Sequence, residues 1–150
     1  MSDLLVFVEH PEHLIHYLKT RKDYDIEKSD SYGNTPLLKA CYLGETKSAQ
    51  YLLSYGANID AINSCGQSTL NLALWSGVPE IVELILSKRS YQHFVKSSLI
   101  PPICVAELRG WDEMVVYLQT HYQASKSEKT VHGLSYAQIK MLNNPVHKRM

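Results

Sequence analysis

Long apolar runs are missing from this chain. The stretch LLVFV, from Leu4 to Val8, is five residues long and follows Asp3. A membrane-spanning helix needs roughly 18 apolar residues, and a secretory signal needs a longer apolar core behind a basic start. Cysteine is scarce: Cys41, Cys65 and Cys104 are an odd count at wide spacing. That suits reduced thiols in a reducing compartment better than a disulfide framework. Without a CxxC pair no zinc site is expected. An excess of either charge is also missing, since Lys plus Arg and Asp plus Glu number 15 each. A dedicated nucleic-acid binder usually carries a basic surplus. The seven glycines form no phosphate-cradling loop. The expectation is a cytoplasmic protein, of its own cell or of a host, with no membrane contact, no nucleic-acid partner and no cofactor.

What is present is a core-forming composition and a regular punctuation. Of 150 residues, 45% are hydrophobic, enough for one folded domain. Gly33 is followed 33 residues later by Gly66, and at the same step Thr35 maps to Ser68, Leu37 to Leu70, Ala40 to Ala73 and Gly44 to Gly77. In register, GNTPLLKACYLGETKSAQYLLSYGANIDA lies over GQSTLNLALWSGVPEIVELILS, and a further step reaches PPICVAELRGWDEMVVYLQTH. There Ile103, Ala106, Gly110, Val115 and Leu118 fill the same slots. A fixed period of this length marks a stacked repeat array.

Each recurring residue has a local reason. Thr35 and Ser68 can accept a hydrogen bond from the first turn of a helix, and Pro36 suits the first helical position. Leu37 and Ala40 fall on one helical face. Gly44 and Gly77 suit the left-handed residue that ends the first helix. Ala49, Leu52 and Leu53 recur as Val82, Ile85 and Leu86, a second short helix. A turn plus two short helices cannot bury its apolar face alone, but stacked copies can.

With its period and its T-P-L element, the segment Gly33 to Ala61 resembles an ankyrin repeat. The resemblance extends over Asp30 to Leu86, continues in weaker form over Lys96 to His121, and fades at both ends. It implies an all-α, ankyrin-type helical solenoid with three recognisable repeats and degenerate capping helices at both termini. The expected divisions are 1–29 for the N-terminal cap, repeats at 30–62, 63–95 and 96–128, and 129–150 for the C-terminal cap and basic tail. The resemblance also implies β-hairpin fingers and a concave face made by the first helices. The His that follows T-P-L in the family is replaced by Leu38, Asn71 and Cys104, so its usual bond between neighbouring loops is not expected. SKRSYQHFVKSS, after Leu86, departs from the family pattern, and an irregular finger is expected there.

In PEHLIHYLKT, Leu14, Ile15 and Leu18 make one apolar stripe, a capping helix. Near the other end HGLSYAQIKMLNN reads as a further cap, and Lys126, Lys129, Lys140, Lys148 and Arg149 make a basic tail. His10, His13 and His16 are spaced three and three with Pro11 between, which does not suit a helical metal site.

Tyrosine is the unusual count, ten against two Phe, and tyrosine favours interfaces. Tyr42, Trp75 and Leu108 are equivalent positions late in the first helices, with Leu43, Ser76 and Arg109 beside them. In the family these slots face the groove. Tyr32, Asn34, Cys65 and Gln67 would be finger-tip residues of the same face. The expected function is a non-catalytic module that binds another protein through this groove and is monomeric on its own. Tyr32, Tyr42, Trp75 and Arg109 are expected to carry most of the affinity. A stand-alone inhibitor, such as a toxin-immunity protein or a microbial or viral mimic of a host regulator, is the alternative. An enzyme using Cys65, His93 or His121 is the rival of another class, though these share no defensible spacing.

Overall fold

The computed structural model describes residues 4–125. Within them the chain forms a 3-10 turn at Leu4–Phe7 and α1 at Pro11–Thr20. Three helix pairs follow: α2 (Pro36–Leu43) with α3 (Thr46–Ser54), α4 (Thr69–Ser76) with α5 (Pro79–Lys88), and α7 (Pro102–Arg109) with α8 (Asp112–His121). An extra helix, α6 (Tyr91–Ser97), stands between the second and third pairs. No strand occurs among the described residues, so this is an all-α stack. The expected C-terminal cap and basic tail lie outside these residues.

The caps work as the sequence predicts in the first two pairs. Thr35 Oγ1 accepts from Leu38 N–H at 3.2 Å, and Ser68 Oγ accepts from Asn71 N–H at 3.2 Å. Gly44 ends α2 in the left-handed region, φ 72°. A side chain there would also meet Val78, whose Cγ2 lies 2.5 Å from an ideal Cβ. α7 has Pro101 before it and Pro102 at its start, with no side-chain cap of its own. Its Ile103 N–H donates instead to the Tyr91 hydroxyl at 3.0 Å. A helix-start donor that would otherwise be orphaned is thus satisfied from α6.

The stack has two rows. α4 packs between α2 and α7 in the first row, while α3 packs between α1 and α5 in the second. The repeating positions form the core. Leu37, Leu70 and Ile103 are fully buried, as are Ala40, Ala73 and Ala106, and Leu52, Ile85 and Leu118. Alanine at each middle slot lets neighbouring first-row helices approach closely. Leu4, Val8, Leu14 and Leu18 extend this core to the N-terminal cap. That cap is held by Lys39 Nζ, which donates to Leu5 O at 3.0 Å, and by Ser48 Oγ, which donates to Val8 O.

The turns that join the pairs also stack. Ser64 N–H donates to Tyr32 O at 2.9 Å, and Leu99 N–H donates to Gly66 O at 3.1 Å. The approach at the first of these contacts is close: a Cβ on Gly33 would lie 2.8 Å from the Ser64 main-chain nitrogen. The hairpin fingers implied by the family resemblance are reduced here to tight turns, with a single isolated antiparallel bridge between Ile62 and Ser68 among the described residues. Where an irregular finger was expected, Ser90 Oγ caps α6 through His93 N–H at 3.1 Å, and Tyr91, Phe94 and Val95 are buried. Asn71 gives a second departure. Although it replaces the family's His, its Nδ2 donates to Ile100 O at 3.3 Å. A loop-tying bond therefore survives in another form, while Asn71 Oδ1 is buried without a partner.

Candidate protein-binding face

The predicted contact residues fall into two groups. Tyr32 is 67% exposed and Tyr42 is 57% exposed. Leu43 and Cys65 are exposed beside them in sequence register. These side chains are available at the turn and at the α2 end of the first row. The others are partly committed. Trp75 and Leu108 are half-buried and pack against the core. Ser76 Oγ donates to Ala73 O and accepts from Val78 N–H, closing the end of α4. Arg109 is exposed, but its Nε donates to Trp75 O at 2.9 Å.

Asn34 and Gln67 are half-buried, because both side chains serve the fold. Asn63 Nδ2 donates to Asn34 Oδ1 at 3.0 Å and to Gln67 Oε1 at 2.8 Å. Asn63 Oδ1 in turn accepts from Cys65 N–H and Gln67 N–H, each at 3.0 Å. The preceding turn uses the same device: Asp30 Oδ1 accepts from Tyr32 N–H at 2.8 Å and from Asn34 N–H at 3.0 Å. Asp30 and Asn63 are one period apart, each three residues before a glycine. That recurrence is the signal in the sequence that marks both turns. Ile62 and Leu99, exposed at the turns, were also missed.

The residues considered for catalysis have separate partners. His93 Nε2 lies 2.8 Å from Asp60 Oδ1, and the His121 ring stacks on Tyr117 with centroids 4.4 Å apart. No hydrogen bond joins either to Cys65 among the described residues. Cys41 is fully buried, and burial pushes its thiol pKa up, away from nucleophilic chemistry. No group of three His, Cys, Asp or Glu side chains that could hold a metal occurs among the described residues. No described helix is long and apolar enough to cross a membrane.

Paired short helices stacked in two rows define a helical-repeat scaffold. The chain belongs to the ankyrin repeat family, whose three-copy repeat model matches residues 4–97. Such repeats serve as protein-binding modules. Over 120 residues the chain is 44% identical to the DNA replication inhibitor plutonium of Drosophila melanogaster, covering 79% of this chain and 69% of that protein. It is 34% identical over 98 residues to human ankyrin repeat domain-containing protein 13B, and 30% identical over 115 residues to mouse protein fem-1 homolog A-like. The chain spans only 16% and 17% of those two longer relatives.

Proposed function

We propose that this chain binds a partner protein through the face formed by its turns and the ends of its first-row helices, and that it acts as a non-catalytic inhibitor in the control of DNA replication. The observation that carries the binding face is the exposure of Tyr32 and Tyr42 within one repeat. Large rigid rings with polar tips are the side chains on which protein contacts concentrate. Short stacked units hold these rings in place beforehand, so less freedom is lost on docking. The inhibitory role is supported by the likeness to the fly replication inhibitor, which extends over most of both chains. The balanced charge favours a protein of the replication apparatus as target over DNA itself.

The test is affinity capture from a replication-competent extract, run beside labelled-nucleotide incorporation with the chain added. The wild type is expected to retain one partner in fixed ratio and to lower incorporation. Tyr32→Ala with Tyr42→Ala is expected to lose both effects while remaining folded. Equal inhibition by that variant rules out this face. Capture without inhibition leaves the binding face standing and removes the inhibitory role.

A further inference from the structure

A second surface lies on the second-row helices. Pro79, Glu83, Trp111, Glu113, Met114 and Tyr117 line a hollow of about 200 Å³ between the starts of α5 and α8. Its walls are aromatic and aliphatic, and its acidic members are exposed. The Tyr117 hydroxyl donates to Glu83 Oε1, bracing the two helices. Among the described residues no basic side chain lies within ion-pair distance of Glu83 or Glu113. Glu80 and Asp112, in the first turns of α5 and α8, add two more carboxylates. Those two also offset the positive helix ends. Arg109 borders the adjoining hollow with Gly77, Gly110 and Trp111, its Nε held by the Trp75 carbonyl.

We propose that this hollow is a docking site for a long cationic side chain from a lysine- or arginine-rich segment of a partner protein. Aromatic rings attract a cation, and long basic side chains lay their aliphatic stems along apolar surface while the charged head stays near water. Pro79 and Met114 supply the apolar floor for a stem, Trp111 and Tyr117 the rings, and Glu83 and Glu113 the opposite charge. An acidic segment would meet like charge here. A purely apolar segment would strip water from two carboxylates and return nothing to them. The site is independent of the tyrosine-lined face and of the inhibitory role.

Nuclear magnetic resonance of the full chain, labelled with nitrogen-15, tests this with trilysine amide and triarginine amide as probes and triglutamate as control. The Trp111 indole signal, assigned with Trp111→Phe, is expected to shift saturably with either basic probe and not with triglutamate. Glu83→Gln together with Glu113→Gln should weaken the affinity about tenfold, and Tyr42→Ala should leave it unchanged. Both glutamates are exposed, and the amide oxygen introduced by Glu83→Gln can still accept from the Tyr117 hydroxyl, so the double variant keeps the fold. Absence of a saturable shift, or an undiminished shift in the double variant, overturns the proposal. So does movement of the same signal, without any probe, when Lys126, Lys129, Lys140, Lys148 and Arg149 are changed to Gln, because the chain's own tail would then occupy the hollow.

Discussion

Arg109 Nε donates to the main-chain oxygen of Trp75 at 2.9 Å, latching the last residue of α7 to the last turn of α4. A residue expected to reach a partner therefore also joins two repeats. Arg109→Ala is expected to lower stability by about 1 kcal/mol. Urea denaturation with an unchanged m-value checks it.

Tyr42 and Trp75 occupy the same repeat slot but differ in burial. Tyr42→Ala should weaken partner binding by roughly 2 kcal/mol and leave the melting temperature nearly unchanged. Trp75 packs against the core, so Trp75→Ala should lose binding and stability together. Affinity and thermal melting measured on both variants separate the two effects.

Asn63 and Asn71, both buried, should respond differently. Asn63 engages two side chains and two main-chain donors, and Asn63→Leu should cost about 3 kcal/mol because several polar groups are left unpaired. Asn71 makes one long bond and leaves its oxygen unpartnered. Asn71→Leu removes that orphan and copies the residue at position 38, so its cost should stay within about 1 kcal/mol. Chemical denaturation of both variants decides it.

Thiol accessibility should be unequal. Cys65 is exposed, whereas Cys41 and Cys104 are buried. With iodoacetamide under native conditions, mass spectrometry should find Cys65 modified first. Modification of Cys41 should wait for unfolding.

The Glu83 carboxylate beside Tyr117 raises the phenol pKa above its ordinary value, with burial adding to the shift. A phenol whose pKa is higher when folded favours the folded state while protonated. That contribution is intact below the ordinary value near 10 and is lost as pH rises through the folded value. Absorbance titration should show late ionisation of Tyr117, which Glu83→Gln should move to lower pH.

Much of the fold could be read from recurrence. Leu37, Leu70 and Ile103 share a slot and a fate, and so do the capping hydroxyls of Thr35 and Ser68. α6 was harder to read. Tyr91, Phe94 and Val95 have helical spacing behind a capping serine, but the repeat frame called for a finger at that place. Burial of the Tyr91 and Phe94 rings in the core, with the Tyr91 hydroxyl bonded to the start of α7, settles the local choice. Exposure was legible where the slot alone decides, as at Tyr42. It was obscured where a polar side chain had two possible uses. Asn34 and Gln67 look like free turn amides in sequence, and only the position of Asn63 shows that they are taken.

The spacing of the first row also sets a ruler. Adjacent packed helices lie about 10 Å apart, and an extended strand advances about 3.3 Å per residue. A ligand crossing from α2 to α7 would therefore need only about six residues. Recognition over so short a footprint has to be written in a few well-placed side chains, so a single altered residue in the target should be enough to change which target is chosen.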